Sequence, residues 1–134
     1  MCSPIYFTPK ELTTTDTGLP NIPESWQIVS NLQLLGSWLD TIRMEYKRPI
    51  IINSGYRSKA VNEKVGGVET SLHRQGLAAD IRGNRMKDLW WLLMNHIGEI
   101  DELIQYIDSK GSIKWIHVGI TRGTPRGKVI YKTI

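Results

Sequence analysis

Cysteine is almost missing from this chain: of 134 residues only Cys2 carries a thiol. A lone cysteine excludes an internal disulfide framework, so the core must hold by burial alone. Beside the initiator methionine, Cys2 is expected to be an inert thiol on a frayed end. Long apolar runs are also missing. No stretch approaches the ~20 apolar residues of a membrane-spanning helix. Nor does a basic segment followed by an apolar one open the chain, so neither a membrane span nor a secretory signal is expected. Internal repeats and low-complexity tracts are absent. A dense cationic stripe is absent too: the net charge is +4, from 17 basic and 13 acidic residues. The basic residues gather only near the C-terminus, at Arg122, Arg126, Lys128 and Lys132. Nucleic-acid binders show a denser basic face with interleaved aromatics, so no nucleic-acid partner is expected. A mild positive balance suits any polyanion, cell wall included.

What is present is the composition of an ordinary folded domain, 40% hydrophobic and 22% charged. The length fits one domain able to bury its own core. Thr8-Pro9-Lys10-Glu11 reads as a capping box that opens a short helix. Pro23 and Glu24 are expected to start a second helix. Its apolar positions Ile28, Leu32, Leu35, Leu39, Ile42 and Tyr46 share one face, and it ends before Pro49. Ile50-Ile51-Ile52 reads as a strand delivering Ser54-Gly55-Tyr56-Arg57 to its end. Ser58 caps a short helix through Val65, stopped by Gly66-Gly67. Residues 77–81 read as a strand and 86–97 as a helix that turns Leu89, Leu93, Ile97 and Trp90 or Trp91 inward. Residues 103–107 and 114–120 read as neighbouring strands joined by a turn at 108–111, with 128–131 as a further edge strand. Helices gathered early and strands late predict an α+β fold, a small mostly antiparallel sheet packed against helices.

Within this frame, Asp80 ends the apolar run Leu77-Ala78-Ala79. A carboxylate there is costly to bury unless a positive charge holds it. A divalent metal shared with His73, seven positions earlier, would supply that charge. Neither the His73-to-Asp80 spacing nor His117, alternating inside Trp115-Ile116-His117-Val118, is specific on its own. Together the three side chains make the donor set of a catalytic zinc site, two imidazoles and one carboxylate with a fourth position open for water. Zinc so held lowers the pKa of its bound water to roughly 7. The third histidine, His96, has no acidic residue at ligand spacing and reads as structural or solvated.

Ser54-Gly55-Tyr56-Arg57-Ser58, Asn62, Val65-Gly66-Gly67, Ser71-x-His73-x-x-Gly76-x-Ala78-Ala79-Asp80-Ile81 and Trp115-Ile116-His117-Val118 follow one another in an order that resembles the M15 family of zinc peptidases. That family contains D-Ala-D-Ala carboxypeptidases, dipeptidases and bacteriophage endolysins. Phe7-Thr8-x-x-Glu11-Leu12 and Asn31-Leu32 resemble the carboxypeptidase-like branch, so the likeness spans nearly the whole chain. The resemblance implies His73, Asp80 and His117 as zinc ligands. It implies Arg57 as the group that polarises the scissile carbonyl or holds a substrate carboxylate, work that suits a permanently charged guanidinium fork. Ser71 and Asn62 are expected to order the surrounding loops.

The family's usual acid/base, a Glu or His shortly before the last ligand or on the preceding strand, has no counterpart in Lys114-Trp115-Ile116. Asp108 is the nearest carboxylate, and as readily a plain turn residue. Asp101 and Glu102 are the other candidates. The implied function is a zinc-dependent peptidase of peptidoglycan stem peptides or cross-links. It would act as a monomer, made in the cytoplasm and reaching the wall after release, like a phage lysis protein. A non-catalytic zinc-stabilised module that binds cell wall or a virion partner is the alternative.

Overall fold

The computed structural model describes residues 5–134, which leaves Cys2 outside. Helix α1 (Pro9–Leu12) is capped as its sequence predicts: Thr8 accepts from the Glu11 amide and Glu11 accepts from the Thr8 amide. Helix α2 (Trp26–Tyr46) starts later than Pro23 and Glu24 suggest. Ser25 is its cap, with an extended backbone and a hydroxyl that accepts from the Ile28 amide. Glu24 instead turns to the Lys59 amide and to Arg74. The helix ends at Lys47, whose positive φ of 62° reverses the chain ahead of Pro49.

The remaining elements are β1 (Ile51–Ser54), α3 (Lys59–Lys64), β2 (Ala78–Arg82), α4 (Met86–Asn95), β3 (Glu102–Ile107), β4 (Ile113–Gly119) and β5 (Lys128–Thr133). Short 3-10 turns at Leu72–Gln75 and Ile97–Glu99 lie between them. The strands form one sheet in the order β1-β2-β4-β3-β5, antiparallel except for the β3–β5 pair. The architecture is α+β, as the order of elements predicts. No helix among the described residues is long and apolar enough to cross a membrane.

Side chains alternate across the sheet. Ala79, Ile81, Leu103, Ile116 and Val118 point to the helices, where they join Leu35, Leu39, Ile42, Leu89 and Leu93 in one core. Each fully buried aliphatic side chain there contributes about 1.5–3 kcal/mol. Trp90 is the inward tryptophan of α4 and Trp91 is exposed. The alternate positions, Asp80, His117, Ile104 and Tyr106, are left for the opposite face.

His96 stands at the C-cap of α4 instead of inside the helix, and, against expectation, it has acidic partners, Glu99 three residues on and Glu45 of α2. Its Nδ1 is 2.8 Å from Glu99 and its Nε2 3.1 Å from Glu45. Hydrogen bonding to Glu99, then to Glu45, raises its pKa.

Candidate metal centre

The three expected ligands meet on the face of the sheet turned away from the main core. Asp80 of β2 is paired directly opposite His117 of β4. The 3-10 turn before β2 brings His73 over them. Ser71 starts that turn by accepting from the His73 amide at 3.1 Å, and Gly76 ends it at φ 75°.

Each side chain is held by a second contact. Nδ1 of His73 lies 2.8 Å from the Gly55 carbonyl oxygen. A carbonyl only accepts, so Nδ1 carries the proton and the lone pair on Nε2 faces Asp80 and His117. Nε2 of His117 lies 2.9 Å from Glu102 Oε1, off the line of a good hydrogen bond. Its Nδ1 faces Asp80. Arg57 donates from Nε to Ser54 at 3.3 Å and from Nη2 to Asp80 Oδ2 at 3.4 Å. Its backbone amide donates to the His73 carbonyl.

The donor atoms form a near-equilateral triangle. His73 Nε2 to His117 Nδ1 is 3.2 Å, His117 Nδ1 to Asp80 Oδ1 is 3.1 Å, and His73 Nε2 to Asp80 Oδ1 is 3.3 Å. Tetrahedral zinc with bonds of about 2.0–2.1 Å needs ligand atoms about 3.3–3.4 Å apart, so the residues fit the ion. Lone pairs so close, in a site where both histidines are buried, repel one another unless a cation lies between them. The electrostatics carry the same sign. Burial pushes the Asp80 carboxyl up, yet its contacts with His117 and His73 outweigh this and hold it well below the usual carboxylate range. Burial lowers the His117 pKa, while Asp80 and Glu102 raise it to a net upward shift.

The centre opens into a cavity of about 590 Å³. Arg57, the loop from Val65 to Leu72, Glu102, Ile104, Tyr106, Arg126 and Lys132 line it with the three ligands. Asn62 stands behind that loop and donates to the Val68 carbonyl at 2.9 Å. Ser71 and Asn62 thus sit where loop-ordering groups belong.

Asp108 is not brought to the centre. Its carboxylate accepts from the Lys110 and Ser112 amides and closes the β3–β4 turn. Asp101 holds Arg126 through both its oxygens, at 2.9–3.2 Å. Of Asp108, Asp101 and Glu102, only Glu102 lines the cavity. Tyr106 and Lys132 also face it, and only strand register could have shown this. Arg122 is tied to Asn31 and Ser30 of α2, away from the cavity.

Gly55 joins this centre to α1. A Cβ on it would run into the Leu12 carbonyl, the acceptor for the Tyr56 amide, while the Gly55 carbonyl itself anchors His73. Gly55→Ala is expected to cost about 1–3 kcal/mol by overpacking. It should also weaken metal binding by about 10–100-fold through the displaced His73. Thermal denaturation and a zinc-affinity titration check the two effects separately.

The site thus sets two imidazoles and one carboxylate, a group able to hold a metal ion, beside an arginine. A sequence model of the family described as Peptidase M15 matches residues 5–118, and the chain belongs to that family. No curated protein matches it.

Proposed function

We propose that the chain is a zinc-dependent peptidase that hydrolyses a peptide bond in peptidoglycan stem peptides or cross-links. The observation that carries this reading is the triangle of donor atoms at the floor of a cavity beside Arg57. Zinc held by His73, Asp80 and His117 would supply Lewis acidity and a bound water of lowered pKa.

The chain's own residues do the rest. Arg57 orients the substrate by its carboxylate or scissile carbonyl, and its contact with Asp80 fixes the fork. Gly55 keeps the His73 tautomer, and Glu102 keeps His117 turned with Nδ1 inward. Glu102 is also the proton acceptor, in place of Asp108. Its contact with His117 lowers its pKa, against burial, so it is ionised at neutral pH. Tyr106 has a pKa raised by burial and by Asp80 and Glu102, so its hydroxyl stays protonated and serves as a donor to the substrate. A second reading, a non-catalytic zinc-bound module, is favoured only by the lack of an acid/base group in Lys114-Trp115-Ile116 itself.

Mass spectrometry of peptidoglycan digested by the zinc-loaded protein separates the two. New peptide termini are expected. Intact peptides beside bound zinc would favour the second reading over the peptidase.

A further inference from the structure

The wall of the cavity formed by β5 lies beyond the segment that matches the family, which ends at residue 118. β5 adds itself parallel to β3 at the sheet edge, with Lys132 paired beside Tyr106. The Tyr106 ring stacks on Trp115, with centroids 4.6 Å apart and planes 17° apart. The Lys132 ammonium lies 5.8 Å from the centroid of the same ring.

The cations of the cavity differ in what they already hold. Arg57 is engaged by Asp80, and Arg126 is neutralised by Asp101. Lys132 has no carboxylate within ion-pair distance among the described residues. It is an exposed ammonium on a cavity wall, fixed by an edge strand. Lysine of this kind attracts an anion as a point charge, without demanding one geometry.

We infer that Lys132 is a specificity determinant that binds a second carboxylate of the substrate, away from the bond that is cut. The inference rests on the peptidase reading for its choice of ligand. β5 stands two strand spacings from β4, and Lys132 is level with Trp115, two residues along from His117, which sets their backbones about 12 Å apart. That distance is on the order of three extended residues. The preferred peptide therefore carries a free carboxylate two or three residues from the scissile bond, and loses affinity when that group is amidated.

The probes are two stem tetrapeptides, Ala-γ-Glu-Lys-Ala, identical except that the α-carboxyl of the glutamyl residue is free in one and a carboxamide in the other. Binding to the intact protein is read by NMR chemical-shift titration, and hydrolysis of both peptides is followed in the same tubes. The free acid should bind about two- to fivefold tighter, the upper part of the range expected of one partly screened ion pair. Lys132→Ala should erase that preference and Lys132→Arg keep it. Equal affinity in the wild type, no binding of either peptide, or a preference that survives in Lys132→Ala would overturn the inference. Preference without hydrolysis supports the role of Lys132, while the peptidase reading fails separately, on a peptidoglycan digest that yields no new peptide termini.

Discussion

Asp80→Asn should empty the centre of zinc and abolish peptide hydrolysis while the fold survives. The substitution keeps the volume of the side chain and removes its charge. Two imidazoles and a neutral amide then hold a dication that had been partly compensated. Outer residues that merely orient a ligand already change metal affinity or activity by about 10–100-fold. Loss of a charged ligand should exceed that range. The variant should remain folded because Asp80 lies on the open face of β2, while Ala79 and Ile81 on either side keep the core. Metal content after dialysis and the rate of product formation check the prediction. Wild-type zinc content in the variant would remove Asp80 from the ligand set.

Arg57→Ala should separate catalysis from metal binding. Arg57 touches Asp80 through Nη2 but offers the metal no lone pair, so zinc content should stay near that of the wild type. Activity should fall by about 10²–10³-fold, the usual effect of deleting a donor aimed at developing negative charge. Arg57→Lys should recover only a small part of the loss, since an ammonium keeps the charge and loses the fork. Steady-state kinetics on one peptide substrate decide this. A drop confined to KM would make Arg57 a binding group for a substrate carboxylate. An unchanged rate would remove it from the site.

Much of this arrangement is legible in the residues. The capping box at Thr8 and the apolar rows of α2 fix those helices through local chemistry that needs no tertiary context. Asp80 stands out because it ends an apolar run, and His117 because it alternates with buried neighbours. The metal triangle itself depends on β2 pairing with β4, across a gap in sequence that contains α4 and β3. No local pattern reveals that order.

The same register explains why Asp108 stays away from the centre. Antiparallel pairing of β3 with β4 holds, but it sets Ile104 opposite His117. Asp108 then lies four residues farther along, about 13 Å at strand rise, beyond the irregularity after Tyr106. The residues that share the face with His117 are Glu102, Ile104 and Tyr106. The start of α2 slipped for a smaller reason, since Pro23 and Glu24 make a good helix opening until Ser25 takes the cap. β5 was visible as an edge strand, yet nothing in its sequence showed that it pairs parallel to β3 or turns Lys132 toward the cavity.

A crystal grown with zinc, with data collected on both sides of the zinc absorption edge, tests the central claim most directly. A single anomalous peak about 2 Å from His73 Nε2, His117 Nδ1 and Asp80 Oδ1 is the expected result. A map without density between those three atoms, or with zinc on other side chains, would contradict it.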